Sequence, residues 1–230
     1  MKTDAEIKDN VLDELAWQPD IDETEIGVIV ENGVVTLNGV VESHSKKLAA
    51  EKAVKGVFGV KAMASDIEVK FGEDFKKTDK EIAKAIVNAF EWNDSVPEND
   101  IKVKVENGWV YLSGEVKWEH EKNAAKKAIQ NLIGVVRVIN SIVVKQDEKP
   151  TTVEEIKPFE VSEKIKKAFE RSAEIDAKKI TVLTDGHTVT LKGKVHSIKE
   201  KEDAEAAAYK APGVYEVKNE LKVQYYTEYA

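Results

Sequence analysis

Cysteine is absent from this 230-residue chain, which excludes disulfide bonds, thiolate metal ligands and a cysteine nucleophile. The sequence also has no apolar run near the ~20 residues that a membrane-spanning helix needs. Its first residues, MKTDAEI, contain no apolar signal core. As given, the chain is expected in the cytoplasm, and it would be periplasmic if a signal peptide had been removed from its start.

The chain also lacks a basic stripe. Its net charge is −8, and residues 1–70 carry 8 Lys against 14 Asp and Glu, whereas the later parts are nearly balanced. Phosphate neutralisation supplies most of the affinity of nucleic-acid-binding proteins, so we expect no nucleic acid partner. Overall charge likewise predicts no strong electrostatic adsorption to anionic lipid.

One glycine-flanked stretch occurs three times. It reads GVVTLNGVV at residues 33–41, GWVYLSGEV at 108–116 and GHTVTLKGKV at 186–195. Self-similarity at a fixed period of 75 to 79 residues is the signature of a repeat architecture. It predicts three units, called here repeat 1 (residues 1–70), repeat 2 (78–145) and repeat 3 (158–224).

Each repeat reads helix, strand, strand, helix, strand. Apolar residues at a spacing of four mark the first helix, and in repeats 1 and 2 an Asn-Gly pair marks a hairpin between the first two strands. Thr3 with Glu6, and Thr78 with Glu81, have the capping-box spacing. The fold class is therefore α+β, with three tandem αββαβ units. Each unit is predicted to be a three-stranded mixed sheet with two helices packed on one face.

Three finer predictions concern the arrangement of these elements. A right-handed crossover makes the third strand parallel to the second, and the first strand is predicted to lie between them. The turn at Asp185-Gly186-His187 is expected to be one residue longer than the other two. The short connector 71–77 predicts that repeats 1 and 2 touch, whereas Pro150 and Pro158 predict an extended spacer that leaves repeat 3 more independent.

The paired glycines of G-x-V-x-L-x-G-x-V, the alanine-rich second helix and the Gly-Val before the last strand together resemble the BON domain. That family is named for bacterial osmotically inducible and nodulation proteins. The resemblance covers three copies and nearly the whole chain. It implies a non-enzymatic module linked to osmotic or envelope stress, with phospholipid or membrane association and no cofactor. It also implies fold-marking glycines, which here are Gly39, Gly59, Gly114, Gly134, Gly193 and Gly213.

The candidate binding surface is on the outward side of the sheet in repeat 2. Trp109 and Tyr111 point outward from the second strand, and Val143 points outward from the third. An aromatic cluster on an open sheet face is typical of a contact surface. The alternative is that a neighbouring repeat covers this face, because small repeated units gain stability from mutual burial.

Other aromatic and polar residues receive structural interpretations. Trp17, Trp92 and Trp118 are interpreted as covering the core and the chain reversal, with lipid anchoring as the alternative. His44, His120 and His196 are interpreted as polar loop residues, because they belong to different repeats and lack metal-ligand spacing. No catalytic set stands out, so the sequence predicts neither a metal site nor an active site.

Three functional hypotheses follow. The first is a binding or scaffold protein of the BON type that contacts phospholipid or a protein partner through exposed sheet faces. The second is a stress protein that holds partly unfolded clients on the same apolar surface. The third is an enzyme, which would require a deep pocket lined by two or more ionisable groups.

Overall fold

The structure is a computed structural model that describes residues 2–19, 21–72, 76–145 and 158–223. Its contacts divide the chain into two compact units, one of residues 1–38, 50–66 and 152–230 and one of residues 39–49 and 67–151. The helices are α1 (Asp4–Ala16), α2 (His44–Gly56), α3 (Asp79–Glu91), α4 (Glu119–Ile129), α5 (Pro158–Glu170) and α6 (Ile198–Tyr209). The strands are β1 (Ile26–Glu31), β2 (Val34–Val41), β3 (Ala62–Val69), β4 (Ile101–Glu106), β5 (Trp109–Val116), β6 (Arg137–Val144), β7 (Ile180–Asp185), β8 (Thr188–Val195) and β9 (Glu216–Val223).

The helix-strand-strand-helix-strand order therefore occurs three times, and the described chain holds three separate three-stranded mixed sheets. This confirms the predicted fold class. The sheet orders are β1-β2-β3, β4-β5-β6 and β7-β8-β9. Within repeats 2 and 3, the second strand pairs antiparallel with the first and parallel with the third.

The predicted position of the first strand is wrong, because the second strand is central in every sheet. The second and third strands have eight residues each and pair over their full length, as β5 and β6 do from Trp109↔Arg137 to Val116↔Val144. The first strand has only six residues. The crossover helix joins two adjacent parallel strands, and the shorter strand is left at an edge, where fewer backbone groups need partners.

The hairpin turns of repeats 1 and 2 have the backbone conformation that their Asn-Gly pairs predict. Asn32 and Gly33 have φ of 52° and 77°, and Asn107 and Gly108 have φ of 50° and 76°, as a type I′ turn requires. In repeat 3, Asp185 pairs with Thr188, so the turn has two residues and the prediction of a longer turn is wrong. Of its two residues only Gly186 has positive φ, which is the pattern of a type II′ turn.

Two predicted capping boxes are present at the starts of α1 and α3. The Thr3 hydroxyl accepts a hydrogen bond from the Glu6 amide, and the Glu6 carboxylate accepts one from the Thr3 amide. The next residue, Asp4, has a role that the sequence did not suggest. Its carboxylate accepts hydrogen bonds from Asn32 N and Gly33 N at 2.7 and 2.9 Å and so fixes the helix start to the hairpin turn.

The first helices bury the apolar faces that their spacing predicts. Ile7, Val11 and Leu15 are buried in α1, Ile82, Ile86 and Phe90 in α3, and Val161, Ile165 and Phe169 in α5. Repeats 2 and 3 each have their own core cluster, in which these residues pack with the inward side chains of the sheet and with the alanines of the second helix. Both helices thus lie on one face of the sheet, and the other face is the outer face of the repeat.

Repeat 3 is less independent than the sequence suggested. In the first compact unit, Lys55 of α2 and Glu202 of α6 form an ion pair at 2.6 Å. The rings of Phe58 and His196 lie 6.2 Å apart. The proline-containing spacer falls almost entirely outside the described residues, and a spacer's composition carries no information about which surfaces meet beyond it.

Candidate functional site

The candidate site is the outer face of repeat 2, formed by the outward residues of β4, β5 and β6. The strand register places Trp109 between Glu106 and Arg137. It places Tyr111 between Lys104 and Ile139. Because successive side chains of a strand point to opposite faces, these residues share one side of the sheet, away from the helices.

Two cations lie against the aromatic rings of this face. The Arg137 guanidinium is 5.2 Å from the centre of the Trp109 ring, and the Lys104 ammonium is 5.9 Å from the centre of the Tyr111 ring. A hydrogen bond to Glu106, at 2.8 Å, raises the pKa of Lys104 above its ordinary value, so this cation stays charged. The centre of the face therefore joins flat apolar rings to positive charge.

Val143 lies apart from the two aromatic residues. It pairs with Glu115, four residues along β5 from Tyr111, which is about 13 Å at the usual strand rise. The structure thus brings Trp109 and Tyr111 together and places Val143, which is 52% exposed, at the far end of the face. The neighbours that complete the aromatic centre, Arg137 and Ile139, could be found only from the strand register.

The charge of this face differs from that of the whole chain. Its described charged residues are the cations Lys102, Lys104, Arg137 and Lys145 and the acids Glu106 and Glu115. Trp109, Glu115 and Val143 are all exposed to solvent. A net positive, partly aromatic surface therefore exists on a chain of net charge −8.

The outer faces of the other repeats have different chemistry. In repeat 1 the exposed aliphatic residues Ile29 and Val34 lie with the acids Glu31 and Asp66. In repeat 3 lysines and glutamates alternate along β9, and Glu220 of β9 is paired to Lys192 of β8. Aromatic side chains and net positive charge thus coincide on the outer face of repeat 2.

All four tryptophans are at least partly exposed, so the prediction that Trp17, Trp92 and Trp118 cover the core is wrong. Trp17 and Trp92 are 83% and 89% exposed, and Trp118 is 43% exposed. Trp17 and Trp92 follow directly after the last turn of α1 and α3, two residues beyond the last buried position. Ile21 and Val96, four residues beyond each tryptophan, are buried instead.

The histidines have separate roles. His44 begins α2 and is only 7% exposed, so it is not the loop residue that the sequence suggested. His120 stacks on Trp118 with ring centres 6.4 Å apart. His196 contacts the buried carboxylate of Glu200 through its Nδ1 at 3.0 Å. Among the described residues, no group of three His, Asp or Glu side chains is arranged to hold a metal ion.

Within the described ranges, no helix has the length and apolarity to cross a lipid bilayer. A groove in repeat 3 is open to solvent, and its two carboxylates are paired with Lys199. Five ionisable groups line it, but its open shape differs from the deep pocket that the enzyme hypothesis required.

Comparison with known proteins gives a family and two curated relatives. Residues 3–70, 78–146 and 159–225 each match the model of the BON domain. The chain is 30% identical over 151 residues to the osmotically-inducible protein Y of Escherichia coli, covering 62% of this chain and 73% of that protein. It is 31% identical over 123 residues to a 21 kDa hemolysin of Actinobacillus pleuropneumoniae, covering 53% of this chain and 63% of the hemolysin.

Among solved structures, the chain resembles CdsD, a structural protein of the type III secretion system of Chlamydia trachomatis. The identity is 13%, the coverage is 94% of this chain and 91% of that one, and the TM-score is 0.26. A score this low carries no argument about function.

Proposed function

This chain belongs to the BON domain family, and from that premise we propose that it is a non-catalytic binding protein whose second repeat contacts anionic phospholipid. The name of its Escherichia coli relative links that protein to osmotic induction. We extend a role in osmotic or envelope stress to this chain as part of the same proposal.

The observation that carries the proposal is the outer face of repeat 2. Tryptophan and tyrosine favour the boundary between lipid headgroups and acyl chains, because their rings are apolar and carry one polar group. Lys102, Lys104 and Arg137 supply positive charge around the rings, and each such cation contributes roughly 1 kcal/mol near an anionic surface. The same residues would gain little from a zwitterionic surface.

Vesicle co-sedimentation tests the proposal. The full chain should bind vesicles of anionic phosphatidylglycerol more strongly than vesicles of zwitterionic phosphatidylcholine, and added salt should weaken the binding. The double substitution Trp109→Ser with Tyr111→Ser should abolish it. The matched control, Ile29→Ser with Val34→Ser on the outer face of repeat 1, should leave it unchanged.

Two results would contradict the proposal. Absence of binding to either vesicle would remove phospholipid as the partner. Equal loss of binding in the control variant would show that the outer face of repeat 2 is not the site. Trp92→Ser tests a third possibility. If this variant loses vesicle binding and the Trp109→Ser with Tyr111→Ser variant keeps it, the exposed end of α3 is the binding site.

A second candidate function is the holding of partly unfolded clients. It is favoured by large apolar side chains exposed in both compact units, such as Ile29 at 51%, Ile133 at 52% and Val143 at 52%. Suppression of citrate synthase aggregation, lost on Trp109→Ser with Tyr111→Ser in a chain that does not bind vesicles, would support this function over the first. Inertness in both assays would disfavour both.

A further inference from the structure

We propose that the groove between α5 and α6 of repeat 3 is a docking site for an acidic amphipathic helix of a partner protein. This site is separate from the outer face of repeat 2, and the inference does not depend on the proposed lipid function. The argument rests on the shape of the groove, on its charges and on its difference from the corresponding surfaces of repeats 1 and 2.

The groove has a volume of about 480 Å³ and is lined by residues of repeat 3. The Lys199 ammonium, in the first turn of α6, bonds to the carboxylate of Glu174, just beyond the end of α5. The two helices therefore run antiparallel. The groove lining includes small side chains, called here the alanine floor, which allow another helix backbone to approach closely: Ala168, Ala206, Ala207 and Ala211.

Three exposed cations line this floor. Lys164 and Arg171 come from α5 and the residue that follows it, and Lys210 follows the end of α6. None of the three forms an ion pair with another described residue. Because the helices are antiparallel, Lys210 lies at the Lys164 end of the groove and Arg171 lies at the opposite end.

The acids of the groove are already neutralised. Lys199 bonds to Glu174 and, at 2.8 Å, to Asp203. The hydrogen bond from Lys199 holds the pKa of Glu174 below its ordinary value. Burial would lower the pKa of Lys199, but its hydrogen bonds to Asp203 and Glu174 outweigh burial and raise it. Both acids of the groove lining are therefore bonded to Lys199, and the lining carries three further cations.

The three cations are specific to repeat 3. By the helix alignment, Arg171 replaces the exposed tryptophans Trp17 and Trp92 of the other repeats. Lys164 corresponds to Asn10 and Ala85, and Lys210 corresponds to Gly56 and Asn131. All four tryptophans of the chain are in repeats 1 and 2, and at the helix end repeat 3 has the cation Arg171 in place of a tryptophan.

The spacing of the charges fits a helix as the occupant. Lys164 and Arg171 are seven residues apart on α5 and its end, which is two helical turns or about 10.5 Å. A partner helix with Asp or Glu at positions i and i+7 matches this distance and presents small or aliphatic residues at i+3 and i+4 to the alanine floor. A lipid surface would instead favour the exposed tryptophans that repeats 1 and 2 carry and repeat 3 lacks.

Fluorescence anisotropy with the full chain tests the inference. The probe is a labelled synthetic helix of about 21 residues with Glu at i, i+7 and i+14 and with Ala and Leu along the same face. A scrambled peptide of the same composition distributes the Glu residues around the helix. The groove variant is Lys164→Ser, Arg171→Ser and Lys210→Ser. The control variant, Lys167→Ser, Lys178→Ser and Lys218→Ser, removes the same charge from exposed positions outside the groove.

We expect the amphipathic peptide to bind the native chain and the control variant within about twofold of each other. The groove variant should bind about tenfold or more weakly, and the scrambled peptide should be weaker by a similar factor. Circular dichroism checks that each variant is folded. Arg171→Trp provides a second test, because it introduces the residue that this fold already carries in repeats 1 and 2, and it should also weaken binding.

Four outcomes would overturn the inference. They are no binding of the amphipathic peptide, equal binding of the scrambled peptide, equal weakening by the control variant, and a groove variant that loses binding to phosphatidylglycerol vesicles but keeps binding to the peptide. The last outcome would assign the groove to lipid.

Discussion

Replacement of Gly114 by alanine should strongly destabilise repeat 2. Gly114 lies in the central strand β5, opposite Ile101, with φ of +133°. A Cβ atom added to it would lie 2.1 Å from the carbonyl oxygen of Asp100, far inside any normal contact. This oxygen belongs to the backbone, so no side-chain rotation can relieve the overlap.

The cost can be worked out from this geometry. A non-glycine residue in this region of φ costs about 1–3 kcal/mol. To relieve the overlap, the backbone at Asp100 must move away from β5, which is hydrogen-bonded to a strand on each side, and this movement adds a similar amount. The total is about 4 kcal/mol. A unit the size of repeat 2 is stable by only about 3–10 kcal/mol, at about 0.05–0.15 kcal/mol per residue. The equilibrium constant for opening repeat 2 should therefore rise about a thousandfold.

Hydrogen–deuterium exchange with mass spectrometry measures this change repeat by repeat. In Gly114→Ala, the peptides that contain α3 and β5 should exchange about a thousandfold faster than in the native chain, provided that they exchange through opening of the whole repeat. Gly186→Asn is the control. Gly186 has φ of +55°, which asparagine tolerates, and an added Cβ would meet nothing within 4 Å.

Gly193→Ala provides the same test in repeat 3. An added Cβ would lie 2.0 Å from the carbonyl oxygen of Lys179. It should accelerate exchange in α5 and β8 and leave the β5 peptides unchanged. If Gly114→Ala behaved like Gly186→Asn, with exchange within about tenfold of the native rate, the close backbone approach would not be a constraint and the reasoning would be refuted.

Three further predictions concern polar contacts. Asn140→Ala should lower the free energy of urea unfolding by about 1–3 kcal/mol, because its side chain bonds to the Lys122 carbonyl and the Ile142 amide. Ser65→Ala, at the same position in repeat 1, should change it by less than about 0.5 kcal/mol, because the Ser65 hydroxyl has no partner among the described residues. Glu200→Ala should cost about 2–4 kcal/mol in the same assay, since the buried carboxylate accepts hydrogen bonds from two backbone amides. Hydrogen bonds from Thr78 hold the pKa of Glu81 below its ordinary value of 4.5, so this contribution to stability is present above that pH and is lost as the pH falls through the lowered value. Glu81→Ala should therefore lower the melting temperature near neutral pH but not in strong acid. An equal decrease in melting temperature at the two pH values would contradict this prediction.

The local elements of this protein could be predicted because neighbouring residues determine them. The spacing of Ile82, Ile86 and Phe90 is enough to define the buried face of α3. An Asn-Gly pair is enough to define a tight turn, because its two residues tolerate positive φ. Repetition supported these assignments, since the helix spacing occurs in three copies and the Asn-Gly pair in two.

The predictions that failed concern choices between alternatives that satisfy the same local rules. Both possible positions of the first strand agree with an antiparallel hairpin and a right-handed crossover. Full-length pairing between β5 and β6 decided the order. Trp17 and Trp92 could cover a core or face solvent from the same position in the sequence, and the tertiary structure buries Ile21 and Val96 and leaves both tryptophans in solvent.

By itself, the sequence determined the three αββαβ repeats, the Asn-Gly turns of repeats 1 and 2 and the inward faces, because backbone geometry and hydrophobic period act over a few residues. Only the tertiary structure decided which strand is central, and it alone placed Arg137 over Trp109 and the cations of repeat 3 around one groove. These residues are far apart in the chain, and their proximity depends on strand register and helix packing, which no short stretch of sequence encodes.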